Sequence, residues 1–497
     1  QLSFYTDYQA NESFLDTAIE LPNVQRIAKQ MGFKQPGAAT STGICNFYIL
    51  IPASTTSGGP DTSYIPILKR GSLVGSQSGA VYTLTQDVDF TAPNNEITVA
   101  RVDSDTGVPT FFAIKGQGTV VSGRLFEEEV SVTNYERFLR LRLAASDVSE
   151  IISVVDSQGN EYFQVDYLTQ DVVISKEPNR GTNRDLVPFI MKTKPCPRRF
   201  VTEFDTNGNV FLQFGYGSAD NLTGDLIANP ADVVLDVTGR NYVSDPTFDP
   251  TNLIKTDKFG VVPENTTLTV VYRGNTSSTV NSAGSTVNDV VESNLTFTNR
   301  PALNDETAGT VIDSLEVENP EPILGDTSEL TAEEIKTRAY ASFASQNRAV
   351  TRTDYISLSY RMPNGFGKVK RVNIIQDPRS TRRNLNLYVL AENVNGKFAA
   401  PTTQLKTNLK SWLDRYRMIN DSVDILDGKI INYGIEFEVI AETDSNRFEV
   451  LNNCVIRLKE KLLNVANEMG EPVYLTEIFK HLNSVPGVVD TTAVKLI

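Results

Sequence analysis

The chain of 497 residues contains a single histidine, His481. Catalytic triads of the Ser-His-Asp or Cys-His type would all depend on that one side chain. It lies between Lys480 and Leu482 on a short amphipathic segment, and no catalytic motif surrounds it, so a surface or core role is favoured. No cysteine or histidine pair has the spacing of a zinc site. The sequence therefore predicts no catalytic residues, no metal and no cofactor.

Cysteine is also scarce. The three residues Cys45, Cys196 and Cys454 are far apart and odd in number. This pattern argues against a disulfide framework and is typical of a chain that folds in a reducing compartment. Cys454 falls near the apolar face of a predicted helix, where a buried structural thiol is the default interpretation.

Long apolar runs and an excess of positive charge are missing as well. No run of about 18 apolar residues is present, so no transmembrane helix is expected. The 46 basic and 61 acidic residues give a formal net charge of -15. An acidic chain is repelled by phosphate groups, so neither nucleic acid nor a membrane is predicted as a partner.

The hydrophobic patterns predict a multidomain α+β fold with N-terminal helices, β-sandwich-like middle modules and small C-terminal α+β domains. Near the start, Asn11 is expected to cap a helix, and a second helix is expected after Pro22. The expected divisions are a helical segment at 1–40, a β module at 41–134, a second β module with long loops at 135–320, a helical elbow at 321–367 and an α+β region at 368–497.

One hairpin can be predicted in detail. Two alternating strands, Phe200–Phe204 and Val210–Gly215, flank Asn207-Gly208, which is the typical dipeptide of a tight hairpin turn. The segment Asp205–Asn209 superficially resembles a calcium-binding loop. Its glycine is misplaced, however, and Tyr216 stands where a closing glutamate is required. A hairpin turn is therefore the favoured interpretation.

Two helices carry local start signals. Thr331-Ala332-Glu333-Glu334 is a capping box, and Thr351 with Asp354 repeats it in an acidic variant. Pro363 and Asn364-Gly365 are expected to end the second helix and deliver the chain into a strand. The segment Ser345–Thr353 is therefore predicted to be an elbow between two independently capped helices.

The run Ser345-Gln346-Asn347-Arg348-Ala349-Val350-Thr351-Arg352-Thr353-Asp354-Tyr355, continued by Asn364-Gly365-Phe366-Gly367-Lys368-Val369, resembles a signature of the large baseplate wedge proteins of contractile-tailed bacteriophages, the baseplate J-like family. Residues 11–33 and 331–370 carry the resemblance most strongly. It is moderate in residues 200–217 and 475–489, and weak between residues 218 and 320.

The resemblance implies a structural subunit of a phage tail baseplate wedge and no enzyme. Such proteins form a ring around the hub and relay the trigger for sheath contraction. The first implied partner is a second copy of the chain, which forms a dimer within each wedge and a ring between wedges. The other implied partners are a small sheath-initiating wedge protein and other baseplate wedge subunits. The implied location is the virion, after folding and assembly in the host cytoplasm. Relatives carry a helical segment ahead of the Asn11 motif, so upstream residues are expected to be missing here.

Seven basic residues cluster in this acidic protein between positions 361 and 383. A solvated hairpin is the simplest interpretation, and a docking face for an acidic partner is the alternative. The Pro-rich segment Glu318–Pro322 is a candidate hinge. The candidate interface residues are Arg348, Arg352, Arg371, Arg379, Arg382 and Arg383.

Two other functions remain open from the sequence. The β-rich middle is compatible with a receptor-binding or fibre-attachment tail protein, although such proteins often contain fibrous repeats, which are not seen here. A carbohydrate-active β-sandwich protein is a further alternative, because the carboxylate spacing that such catalysis needs is spatial.

Overall fold

The computed structural model describes the whole chain except residues 1, 35–36, 39, 55–57, 146, 183–188, 206–208, 219–258, 276–279, 329, 346–347, 381–383 and 464–467. Helices and several separate sheets alternate along the chain, which confirms the predicted multidomain α+β architecture. The α-helices are α1 (Leu2–Asn11), α2 (Leu21–Gln30), α3 (Asp305–Asp313), α4 (Ala332–Ser345), α5 (Arg352–Tyr360), α6 (Thr403–Leu413), α7 (Arg447–Leu463) and α8 (Leu475–Asn483).

The strands range in length from 2 to 14 residues. They are β1 (Thr42–Pro52), β2 (Ile67–Leu68), β3 (Leu73–Ser76), β4 (Val81–Leu84), β5 (Val88–Asp89), β6 (Glu96–Val102), β7 (Pro109–Ser122), β8 (Arg124–Val132), β9 (Arg140–Arg142), β10 (Val148–Asp156), β11 (Glu161–Gln164), β12 (Val172–Pro178), β13 (Phe189–Pro195), β14 (Arg199–Phe204), β15 (Val210–Phe214), β16 (Thr266–Gly274), β17 (Val287–Glu292), β18 (Leu295–Thr296), β19 (Glu316–Glu318), β20 (Arg371–Gln376), β21 (Asn384–Glu392), β22 (Phe398–Ala399), β23 (Ser422–Asp427), β24 (Ile435–Ala441) and β25 (Val488–Leu496).

The first β unit packs a large sheet against a small one. The large sheet has the order β17-β3-β4-β7-β1-β19, with β6 added beside β7, and the small sheet has the order β18-β2-β5. Both sheets contribute to one core, in which Phe47 and Ile49 of the large sheet join Leu68 of the small one. Alternate residues of a strand face the same side, so β1 presents these side chains together.

The second β unit is inserted into the first. Its sheet has the order β8-β16-β10-β11-β14-β15-β9, and all of these strands except β9 contribute buried side chains to a separate core. Strands β17 and β19 then return to the first sheet. The pairing therefore groups residues 124–132 with the second unit and residues 287–318 with the first, which differs from the ranges expected at 41–134 and 135–320. Strands β14 and β15 pair as a hairpin, and its turn lies outside the described residues.

Helix α2 packs on α4 through a small core that includes Val24, Ala28 and Ala339. Asn11 does not cap a helix, contrary to the sequence-based expectation, because α1 ends there. The Glu12 carboxylate instead accepts hydrogen bonds from the Ile19 N–H at 2.9 Å and from an Asn23 side chain, which stabilises a turn. No helix in the described ranges is long and apolar enough to cross a membrane.

The C-terminal region forms two small α+β units. In the first, β20, β21, β22 and β23 share a core with α5 and α6. In the second, the β24–β25 pair shares a core with α7 and α8. Cys454 lies buried in this second core, and burial raises the pKa of its thiol.

The Pro-rich segment after β19 is firmly anchored in this state. Asn319 is fully buried, and its side-chain amide donates to the carbonyl groups of Ala283 and Glu321. Its side-chain oxygen accepts hydrogen bonds from the N–H groups of Thr286 and Val287. A hinge motion at this segment would have to break these buried hydrogen bonds. The hinge therefore stays a prediction, which comparison with a second conformation of the protein would test.

Candidate functional site: the junction loop

The two capping boxes predicted from the sequence are present, at the starts of the two helices that precede residues 363–370. The Thr331 N–H donates to the Glu334 carboxylate at 3.0 Å, and the Glu334 N–H donates to the Thr331 hydroxyl. At the start of α5, Thr351 and Asp354 make the same reciprocal pair. Each box satisfies backbone donors that a helix start leaves free.

Residues 363–370 follow α5 and form what we call the junction loop. Pro363 precedes a single 3-10 turn over Asn364–Phe366, which closes with a hydrogen bond from the Gly367 N–H to the Asn364 carbonyl group at 2.9 Å. Gly367 has a φ of 82°, a conformation that glycine adopts without strain. This turn directs backbone and side-chain groups of the loop towards several neighbouring segments.

The junction loop contacts both β units. The Asn364 side-chain amide donates to the carbonyl groups of Ala38, just before β1, and Ser149, in β10. Gly365 lies so close to the Glu150 carboxylate that an added Cβ would overlap it. Glu150 is itself held by the Arg273 guanidinium at 2.8 Å.

The loop also contacts the C-terminal α+β unit and the connector between β19 and α4. The Phe366 carbonyl group accepts a hydrogen bond from the Asn408 side chain of α6 at 3.0 Å. The Lys368 N–H donates to the Gly325 carbonyl group at 2.8 Å. Gly325 has a φ of +145°, and a Cβ there would lie 2.9 Å from the Cα of Gly367. The loop therefore joins four parts of the molecule at one point.

A group of charged side chains lies beside the point where Gly325 and Gly367 approach each other. Lys370 pairs with Glu392 at 3.0 Å, and the same carboxylate accepts hydrogen bonds from the N–H and hydroxyl of Ser328. Burial raises the pKa of the half-buried Asp326 to about 6, with Glu392 adding to the effect and Lys368 opposing it. Burial lowers the pKa of Lys368 to about 8, and Asp326 opposes this shift.

A second charged pair connects α4 to β20. Arg371 and Glu334 lie 2.8 Å apart, with side chains only 4% and 6% exposed. Burial alone would raise the pKa of Glu334, but the Thr331 N–H and the Arg371 guanidinium outweigh it and hold the pKa below its ordinary value. Beside this pair, the Arg338 guanidinium lies 4.1 Å from the centre of the Tyr360 ring.

Among the candidate interface residues that the structure describes, one is buried and three are exposed. Arg371 is buried in the pair described above, so it stabilises the junction from inside. Arg352 is exposed, and its Nε donates to the carbonyl group of Ile374 at the outer edge of β20. Arg348 and Arg379 are exposed, whereas Arg382 and Arg383 lie outside the described residues.

Residues that could act as nucleophiles, bases or metal ligands are dispersed in the described part of the chain. His481 sits in the last turn of α8, and all three cysteines are buried and unpaired. No group of three or more histidine, cysteine, aspartate or glutamate side chains is arranged to hold a metal ion within that part. The arrangement around the junction loop holds modules together through hydrogen bonds and ion pairs.

Sequence reasoning identified the junction loop but missed its contacts. Gly325, Asp326, Glu150 and Glu392 come from three other segments of the chain, and no local pattern marks them. The only signal was the unusual density of glycine in residues 365–367.

Comparisons with known proteins leave the family open. No profile of a known protein family matches the chain, and no curated protein matches it. Among solved structures, a chain of the anti-feeding prophage baseplate aligns with 96% of this chain and 77% of its own length, at 10% identity and a TM-score of 0.25. A chain of the type VI secretion system TssK-TssF-TssG baseplate subcomplex aligns with 86% of this chain and 95% of its own length, at 9% identity and a TM-score of 0.26. TM-scores this low do not establish a shared fold, so these similarities carry no conclusion about the chain.

Proposed function

We propose that this protein is a structural subunit of the baseplate wedge of a contractile phage tail. The supporting observation is the position of the junction loop. The second part of the run that resembles the wedge-protein signature, residues 364–369, lies where both β units, the connector and the C-terminal α+β unit meet. A signature at such a point suits a protein whose task is to hold modules in a fixed relation.

In this proposal the protein has no catalytic role. It pairs with a second copy, joins neighbouring wedges in a ring around the hub, and binds a small sheath-initiating subunit and other wedge subunits. The ring relays the trigger for sheath contraction, and the protein resides in the virion baseplate. Ring interfaces with two alternative packings would carry the signal.

Co-expression with the products of the genes on either side tests the proposal. We expect a stable complex whose mass corresponds to this chain together with wedge partners. A trimer of this chain alone would instead favour the fibre-attachment alternative, and cleavage of a polysaccharide would favour the carbohydrate-active one. Either result would contradict the proposal.

The basic residues between β20 and β21 are proposed as a docking face for an acidic partner. Reversing the charge at Arg382 and Arg383 should weaken assembly at moderate salt, because the Coulomb attraction would become repulsion. The matched control is Lys397→Glu, which reverses an exposed charge on another turn. If the wild type, the variant with both arginines reversed and Lys397→Glu assemble equally, as measured by sedimentation, the docking role is refuted.

A further inference from the structure

Two segments of the chain meet beside the start of α5. The Ala349 N–H donates to the Tyr416 carbonyl group at 3.0 Å, and Ala349 and Arg417 form an isolated parallel bridge. Val350 and Met418 each follow a bridged residue directly, so the bridge places them side by side. Ala349 is buried, whereas Val350 and Met418 are 54% and 48% exposed. The two segments therefore present apolar side chains to solvent.

The segment after the bridge is a turn whose tip is almost fully solvated. The Asp421 N–H donates to the Met418 carbonyl group at 3.1 Å and closes a four-residue turn. Its second residue, Ile419, is 95% exposed, although turns favour glycine, proline, asparagine, aspartate and serine. The Tyr355 hydroxyl donates to the Asp421 carboxylate at 2.8 Å, and the Arg417 Nη1 donates to the Asp421 carbonyl group at 2.7 Å. The turn is thus anchored to α5 and holds Ile419 out in solvent.

Unpaired arginines border these apolar side chains. Arg348 and Val350 flank the buried Ala349 in the bridged segment, so both side chains point away from it on the same side. Arg352 and Arg415, in the same two segments, are also exposed. None of these three arginines forms an ion pair with a carboxylate among the described residues. We call this surface the elbow patch, and it comprises Arg348, Val350, Arg352, Arg415, Met418 and Ile419.

Strand β8, at the edge of the second sheet, carries the opposite charge. In the described part of the chain it pairs with β16 alone. Alternation places Leu125, Glu127 and Glu129 on one face, with Leu125 44% exposed and both glutamates exposed. Neither glutamate forms an ion pair within the described ranges. Charged side chains on an edge strand discourage pairing with another strand, so contact through side chains is the association that this edge permits.

The elbow patch and the outer face of β8 are complementary. Each combines exposed apolar side chains with charges of one sign that have no partner within the described residues, and the two signs are opposite. Guanidinium and carboxylate groups form strong paired hydrogen bonds, and arginine beside apolar side chains is a typical composition of protein interfaces. The formal net charge of -15 disfavours nucleic acid as the ligand of the arginines.

We propose that the elbow patch of one copy of this chain binds the outer face of β8 in a second copy. Arg348 and Arg415 face Glu127 and Glu129 across the contact, and Ile419 contributes its apolar part. The inference rests on the proposed function in one respect, that copies of the chain pair with each other, and it identifies the surfaces that meet.

Charge exchange between the two surfaces tests the proposal. Sedimentation of the purified full chain at low salt should show self-association that weakens as salt is added. We expect Arg348→Glu with Arg415→Glu to weaken it by at least about tenfold, and Glu127→Arg with Glu129→Arg to do the same, because attraction becomes repulsion. All four changes in one chain should restore association, since each pair is re-formed with its signs exchanged.

Two control variants change the net charge by the same amounts at other exposed positions. They are Lys397→Glu with Lys495→Glu, and Glu436→Arg with Glu438→Arg on β24. Both should associate as the wild type does, and circular dichroism verifies that every variant folds. A monomeric wild type, controls that weaken association as much as the test variants, or a fourfold variant that is not restored would each overturn the inference. A chain that is monomeric by itself but joins the products of neighbouring genes would overturn it and leave the proposed function standing.

Discussion

At the scale of single residues, the close crossing of Gly325 and Gly367 determines how the junction is built. Backbone at Gly325 lies against both Gly367 and the carbonyl group of Thr40. A side chain at Gly325 would meet backbone atoms, which cannot move aside as a flexible side chain can. The connector, the entrance to β1 and the junction loop can approach each other only because these positions lack a Cβ.

Gly325→Ala should therefore lower the free energy of unfolding by about 2–4 kcal/mol, through overlap and an unfavourable φ. Urea unfolding followed by circular dichroism measures the change. The control is Gly309→Ala inside α3, where an added Cβ has open space around it. That change should stabilise the protein by about 0.5–1 kcal/mol. A neutral effect of Gly325→Ala would show that the crossing tolerates a side chain.

Asp326 gives the junction a defined pH dependence. Burial raises its pKa to about 6 from an ordinary value of 3.8, with Glu392 adding to the shift while Lys368 and Lys370 oppose it. The folded state then binds this proton more tightly than the unfolded state does. The destabilising contribution of Asp326 is complete above pH 6 and disappears as the pH falls from about 6 towards 3.8.

Asp326→Asn removes this titration. The free energy of unfolding of the variant, relative to that of the wild type, should be highest at pH 7. It should fall as the pH is lowered from about 6 to about 4, because protonation of Asp326 stabilises the wild type. Urea unfolding of both proteins across this range measures it. A stability difference that does not vary with pH would contradict the assignment.

At the scale of elements, the sequence predicted what depends on near neighbours. The capping boxes at Thr331 and Thr351 use partners three residues away, so the pattern contains the whole interaction. The same reasoning failed at Asn11, because Glu12 binds groups seven and eleven residues ahead and ends the helix there. The Arg371–Glu334 pair also escaped prediction, since nothing local distinguishes a buried arginine from an exposed one.

Arg371→Met should lower the free energy of unfolding by about 3–5 kcal/mol, because it leaves Glu334 charged, buried and unpaired. The double variant Arg371→Met with Glu334→Gln should recover part of this loss, since glutamine keeps an acceptor for the Thr331 N–H without the charge. Thermal and urea unfolding of the two variants form the comparison. A double variant no more stable than Arg371→Met would indicate that the unpaired charge is not the cause.

At the scale of the whole molecule, strand pairing over long sequence distances escaped prediction. Strand β16 returns to β8, and β17 and β19 return to the first sheet, after a long insertion. Alternating patterns identify strands such as β1 and β24 but do not show which strands pair. The hydrogen bonds between strands join backbone groups, which are the same whatever the side chain. For the same reason the end of a helix at Pro363 and Asn364-Gly365 could be predicted, while the four segments that meet the junction loop could not be named.

In the proposed function, the protein holds modules together within a larger assembly. Native mass spectrometry of the chain, co-expressed with the products of its neighbouring genes, measures this most directly. We predict a complex that contains two copies of this chain together with at least one other subunit. The chain recovered by itself, as a monomer or as a trimer, would contradict the account.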